Sequence, residues 1–198
     1  MRYQPARGRR VIDALDFQRV SVLGWSMGGF IAQVLVLQHP TRINKLILLS
    51  TDPGGVDAEL ASPAVRSQLI DTSGTPHEQA RRLLSLLFPG ILADSIYDQY
   101  GEIVAGARAQ LSPDLVQRQA AAMDAWHHDG TAGRLRELRT PTFVAAGNED
   151  IVIPASNALT LVNAIPGAWL AQFKDGGHAF MAQYPRPLAD LINGFLAL

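Results

Sequence analysis

Three residues in this chain have the types and settings that could carry out acyl transfer: Ser26, Asp150 and His178. Ser26 is the centre of Gly24-Trp25-Ser26-Met27-Gly28, a G-x-S-x-G pentapeptide. An alcohol is a poor nucleophile at neutral pH and needs a base to take its proton. Imidazole titrates near neutrality and suits that task. A carboxylate beside the imidazole fixes its tautomer and stabilises the imidazolium. Alone, each residue has a plain alternative: a glycine-rich turn, a turn-forming Asp, a surface His after two glycines. Their common placement decides between the readings.

That placement depends on the flanking elements. Val20-Ser21-Val22-Leu23 reads as a buried strand, and residues 30–37 read as a mostly buried helix. A serine on so sharp a strand-to-helix turn is held in strained backbone geometry with its hydroxyl pushed outward. Gly24 and Gly28 are both expected because a Cβ at either position would meet the neighbouring strand or helix. The helix begins directly behind Ser26, so its unpaired N–H groups and positive dipole end point to where an oxyanion would form. His39-Pro40 ends that helix. Residues 43–50 form a second strand, apolar on both faces at its end. Residues 141–147 form a third, followed by Asn148-Glu149-Asp150 and a helix over about 155–164. Residues 168–173 form a fourth, ending at Gly176-Gly177-His178, and a last helix covers about 186–197. Continuous apolar strands separated by helices predict a parallel sheet covered on both sides. Chemistry in such sheets sits at the carboxyl ends of the strands. Ser26, Asp150 and His178 follow the first, third and fourth strands.

Two stretches fall outside this alternation. Residues 1 to about 8 look irregular, with Pro5 and Gly8 as breakers, before a short amphipathic helix over 9–15 that puts Val11, Ile12 and Leu15 on one side. After Asp52-Pro53-Gly54-Gly55 the chain reads as helix after helix: about 60–72, 77–88, 92–108, 113–127 and 131–138. The expected organisation is a core from 1–55 and 140–198, with 56–139 as a helical cap inserted between the second and third strands.

Composition narrows the function classes. The 198 residues suffice for one domain with a real core, at 47% hydrophobic and 18% charged. A net charge of −1 gives no reason to expect nucleic acid or an anionic membrane as partner. The absence of cysteine excludes disulfides and thiolate metal sites. No apolar run is long enough to span a bilayer. Arg2, Arg7, Arg9 and Arg10 are not followed by the apolar stretch of a signal peptide, so the expectation is a cytoplasmic protein.

These motifs together resemble the α/β-hydrolase fold superfamily, within it the esterase, lactonase and haloperoxidase-like group with a helical cap. The residues that carry the resemblance are Gly24 to Gly29, Pro141-Thr142 through Asp150 with Pro154, and Gly176-Gly177-His178-Ala179-Phe180. It covers nearly the whole chain, and the order Ser, acid, His is the one this fold uses. It implies Ser26 as nucleophile, His178 as base, Asp150 rather than Glu149 as acid, and the Met27 backbone N–H as an oxyanion donor. The implied activity is hydrolysis of an ester or lactone through an acyl-enzyme, with no cofactor and no metal. Carbon–carbon bond hydrolysis and cofactor-free perhydrolysis would use the same residues. Trp25 and Phe180 flank the proposed site and are expected to contact an apolar acyl or ring group.

Family members usually place four strands and a helix ahead of the stretch that opens this chain. The expectation is therefore an N-terminally truncated form supplying the last four strands of an eight-stranded sheet. No loop bearing the second oxyanion donor is visible. Such a loss costs roughly 10²–10³ in rate. The elbow strand would become an apolar sheet edge, which favours a homodimer or poor solubility. The rival expectation is a non-catalytic remnant acting, if at all, through oligomer contacts. Among weaker signals, His127-His128-Asp129 reads as a solvated helix end rather than a metal site. Leu83 to Phe88, Met123 and Trp126 read as packing.

Overall fold

Four short apolar segments pair into one parallel sheet: β1 (Val20–Trp25), β2 (Ile43–Leu49), β3 (Thr142–Gly147) and β4 (Trp169–Phe173), in that spatial order. The computed structural model describes residues 6–131 and 133–198, with side chains from Arg10 onward. Arg2 and Pro5 lie outside the described residues. The register pairs Trp25 with Leu49, Leu49 with Ala145, and Ala145 with Ala171, so β3 and β4 run two residues past the carboxyl ends of β1 and β2 at the same edge of the sheet.

Alternation along the central strands divides the core into two layers. Leu46, Leu48, Val144 and Ala146 face one side, against α1 (Ala6–Ala14), α2 (Met27–Gln38) and α7 (Ser156–Ala164). Ile47, Leu49, Phe143 and Ala145 face the other, against Phe180, the first residue of α8 (Phe180–Gln183), and Leu188 and Phe195 of α9 (Pro185–Ala197). Both faces of β2 and β3 are thus buried, which is why these strands read as unbroken apolar runs. In β2 the exceptions are Asn44, which is exposed, and Lys45. Lys45 is buried, and its Nζ donates to the carbonyls of Phe195 and Leu196 at 2.7 and 2.9 Å, closing the carboxyl end of α9. β1 is an edge of this sheet, and Leu23 on it is half exposed.

Between β2 and β3 the described residues form helices and no strand: α3 (Pro63–Ile70), α4 (Pro76–Leu87), α5 (Gly90–Ala109) and α6 (Pro113–Asp129). This is the helical cap expected from the sequence. Capping chemistry sets its boundaries. The Ser62 and Ser112 hydroxyls accept from the backbone N–H of the third residue of their helices, Val65 and Leu115, and Thr75 with Glu78 forms a reciprocal capping box at α4.

Four details differ from expectation. α1 starts at Ala6 and runs through Gly8, because Ile12 packs into the core and outweighs the roughly 1 kcal/mol that a helical glycine costs. The helix expected over 131–138 is a single 3₁₀ turn, Arg134–Glu137. It follows two glycines at positive φ, Gly130 and Gly133, and Thr131 N–H is drawn to the Pro53 carbonyl. α8 is an added turn. The fourth concerns Gly28. A Cβ there meets nothing within 4 Å, whereas one on Gly24 would strike the Gly28 backbone and one on Gly29 would enter the Thr51 side chain. The glycines that closure of the turn requires are 24 and 29.

Candidate active site

Ser26 has φ 53° and ψ −125°, a left-handed conformation rare for a residue with a side chain. Its surroundings enforce it. Ser26 N–H donates to the Leu49 carbonyl at 2.9 Å, and the Ser26 carbonyl accepts from Gly29 N–H at 2.8 Å and from the Thr51 hydroxyl at 2.9 Å. The strand is held on one side of the serine and the first helical turn on the other. Strain of this kind costs of order 1–3 kcal/mol and persists only where the fold over-determines it. Met27 opens α2, so its N–H lies among those with no acceptor within their own helix.

Asp150 and His178 are both buried and paired. His178 Nδ1 lies 2.9 Å from Asp150 Oδ2 and 3.1 Å from Oδ1. Asp150 Oδ1 also accepts from the backbone N–H groups of Val152 and Ile153, at 2.9 and 2.8 Å. With the carboxylate acting only as acceptor, Nδ1 carries the proton and Nε2 is left as the basic nitrogen. Glu149 is exposed; its N–H donates to the Gly176 carbonyl, which fastens the acid turn to the histidine loop. Gly147 must be glycine for this, because a Cβ there would strike the Gly176 backbone.

Trp25 joins the two halves. Its Nε1 donates to the His178 carbonyl at 3.0 Å, and its ring lies 5.4 Å from the imidazole. The residue before Ser26 therefore holds the residue that carries the imidazole. About two fifths of Trp25 remains exposed. Phe180 does not flank an open site as expected. It is fully buried, stacked on Phe173 at 4.8 Å, and offers no face to a substrate.

The helical cap also reaches the site. The Leu87 carbonyl at the end of α4 accepts from Ala179 N–H at 3.0 Å, next to His178. His127 is not a solvated helix end: its Nε2 lies 3.2 Å from Oδ2 of Asp52, a buried carboxylate just past β2. Asp52 Oδ1 accepts from Trp126 Nε1 and from Gly54 N–H, both at 2.8 Å. Sequence reasoning treated Asp52 as a break in the pattern. Its position directly after a strand, at the sheet end where Asp150 also lies, was the available signal. Met123 and Trp126 pack together with Phe30 and Met27, as their spacing predicts. Among the described residues no three His, Asp or Glu side chains are grouped to hold a metal, and no helix is long and apolar enough to cross a membrane.

A family model of the alpha/beta hydrolase fold matches residues 6–183. The chain belongs to this family. It is 29% identical over 197 residues to a 2-hydroxymuconate semialdehyde hydrolase of Pseudomonas sp. (strain CF600), covering 94% of this chain and 65% of that protein. It is 28% identical over 182 residues to the pimeloyl-[acyl-carrier protein] methyl ester esterase of Aromatoleum aromaticum, covering 87% of this chain and 72% of that one. Among solved structures it superposes on an N-acyl homoserine lactone degrading enzyme with a TM-score of 0.75 at 27% identity, over 96% of this chain and 73% of that chain. A bromoperoxidase from Bacillus anthracis, at 18% identity and a TM-score of 0.83 over 98% of this chain and 73% of that chain, shares the fold. The chain spans about two thirds of the length of the curated relatives it matches.

Proposed function

We propose that this α/β-hydrolase chain is a serine hydrolase that cleaves an ester or lactone through an acyl-enzyme. The observation that carries the proposal is the buried Asp150–His178 pair, tied through Trp25 to a serine in strained backbone geometry. Ser26 Oγ attacks the carbonyl carbon and His178 Nε2 takes its proton. Met27 N–H stabilises the oxyanion at the positive end of α2. The imidazolium, held by Asp150, returns the proton to the leaving alcohol. A water activated by His178 then releases the acid and regenerates Ser26. The names of the relatives support an ester or lactone carbonyl as target, since they include a methyl ester esterase and a lactone-degrading enzyme. The exposed part of Trp25 is the surface assigned to an apolar acyl group.

Labelling with an alkyl fluorophosphonate, read by intact mass, tests the reading. One adduct is expected on the wild-type chain and none on Ser26→Ala or His178→Ala. A folded wild-type chain that stays unlabelled would refute it. Exposed Leu23 on the β1 edge, with exposed Phe17 just before that strand in sequence, favours an additional reading in which two copies associate there. A sedimentation profile that stays monomeric across concentration would remove it.

A further inference from the structure

The buried cluster around Asp52 has no part in the chemistry described above, yet every group in it leads back to the reacting residues. Asp52 is almost wholly buried, and its carboxylate accepts from Gly54 N–H, Trp126 Nε1 and His127. Trp126 and His127 lie on α6, in the cap. Asp52 follows β2, in the core. The Trp126 ring stacks on Phe30 at 4.9 Å and 13°, and His127 meets the same ring edge-on at 5.9 Å. Phe30 is fully buried on α2, one turn after Ser26.

The backbone of the cluster converges on the same turn. The Asp52 carbonyl accepts from Gln33 Nε2 at 2.9 Å, and that nitrogen also donates to the Gly29 carbonyl at 3.2 Å. Thr51, the preceding residue, bonds the Ser26 carbonyl. On its other side, the apolar cluster of Phe30 and Trp126 includes Val152 and Ile153. The N–H groups of those two residues hold Asp150 Oδ1.

We propose that Asp52 and Trp126, with His127, are positioning residues that fix the Ser26 turn and the Asp150 loop relative to each other from the cap side. A buried carboxylate with three donors has one favourable arrangement, and losing a donor leaves charge without a partner. Trp126 can stack on Phe30 and satisfy Asp52 in only one ring orientation. That orientation sets where the first turn of α2 lies against Val152 and Ile153. A cap that merely covered the core would need the apolar contact and not the hydrogen bonds.

Trp126→Phe separates the two, since it keeps a stacking ring and removes only the donor to Asp52. Asp52→Ala removes the acceptor. Asp52→Asn restores it for Gly54 and Trp126 through its carbonyl oxygen. His128→Gln, one residue away on an exposed side chain, is the control. Hydrogen exchange on the 198-residue chain is expected to rise at least tenfold across 26–34 and 150–153 in Trp126→Phe and Asp52→Ala. It is expected to return toward wild type in Asp52→Asn and to stay unchanged in His128→Gln. The same variants are scored for fluorophosphonate labelling. The limiting rate of labelling is expected to fall about tenfold in Trp126→Phe while half-saturation stays within twofold. Should Asp52→Ala fail to fold, Trp126→Phe and Asp52→Asn decide alone. Exchange that rises only over 113–131 and 52–55, with the serine turn unaltered, would overturn the proposal. The labelling arm rests on the serine-hydrolase reading and the exchange arm does not. An unlabelled wild type would therefore defeat that reading and leave exchange to judge this one.

Discussion

Asp150→Asn should nearly abolish the reactivity of Ser26 while leaving most of the stability in place. Asp150 Oδ1 accepts from Val152 and Ile153 N–H, and the asparagine carbonyl oxygen can occupy the same place. What is lost there is charge assistance, about 1 kcal/mol for each bond. The larger effect is at Oδ2, which lies 2.9 Å from His178 Nδ1. An amide NH₂ at that position donates instead of accepting. Nδ1 must then be the bare nitrogen, and the proton moves to Nε2, where a base for Ser26 is required. The equivalent change in a serine triad costs about 10⁴ in rate, or roughly 5 kcal/mol of barrier. Asp150→Ala has the opposite balance for the fold. It leaves two buried N–H groups without acceptors at about 1–3 kcal/mol each, so destabilisation of about 2–6 kcal/mol is expected. The assay pairs second-order fluorophosphonate labelling, read by intact mass, with urea unfolding of the same samples. The asparagine variant should label about 10⁴-fold more slowly with only a small shift in midpoint. Labelling within tenfold of wild type by a folded Asp150→Asn chain would show that the carboxylate does not act through His178, and the argument would fail.

Other perturbations separate similar-looking residues. Gly28→Ala should leave stability unchanged or raise it by up to about 1 kcal/mol, because the new methyl meets nothing and helix propensity improves. Gly29→Ala places a Cβ 2.5–2.6 Å from Thr51 Cβ and Cγ2, and overpacking of about 1–3 kcal/mol should appear as a lower unfolding midpoint. Lys45→Met removes both bonds to the end of α9; a loss of about 2 kcal/mol is expected, with faster hydrogen exchange over 190–197. Glu78 is held below the usual carboxylate range, first by the Thr75 backbone N–H and then by its hydroxyl. Its contribution is therefore complete above the unfolded value of about 4.3 and is lost as pH falls through the lower folded value. The thermal midpoint of wild type should exceed that of Glu78→Gln at pH 6, and the gap should narrow as the solution is made more acidic than the unfolded carboxylate range.

Much of this architecture was legible because its signals are local. Runs such as 46–49 and 143–147 are apolar on both faces, as a doubly covered parallel strand requires, and the strands lie where such runs do. Three of the helices between β2 and β3 start sharply because Ser62, Thr75 and Ser112, each followed by proline, cap them locally. Errors fell where long-range contacts overrule local preference. Gly8 should interrupt a helix, but Ile12 anchors one there. Residues 131–138 have helical residue types, but Thr131 is held to the Pro53 carbonyl and two glycines at positive φ precede the turn that forms. Gly28 was credited with a constraint that belongs to Gly29, since the side chain that imposes it, Thr51, arrives from a different strand end.

At the site, Ser26, Asp150 and His178 follow β1, β3 and β4 as their sequence settings predict, and Asp150 and His178 are paired. Phe180 was misplaced because adjacency to His178 in sequence does not fix direction: the α8 turn points its ring back toward Phe173 and into the core. Asp52 and His127 went unread for the opposite reason. They are 75 positions apart, and the local Asp52–Gly54 bond accounts for the aspartate as a turn former without pointing to His127. Yet a carboxylate directly after a central strand of a parallel sheet has few places to go. It lies near the first turn of α2, where water is largely excluded, so it needs donors from elsewhere in the chain. The Gly54 N–H supplies one, and the side-chain donors come from Trp126 and His127 on α6. A polar residue in the position of Asp52 therefore predicts a matching donor on a cap helix. That pairing ties α6 to the core beside the Ser26 turn.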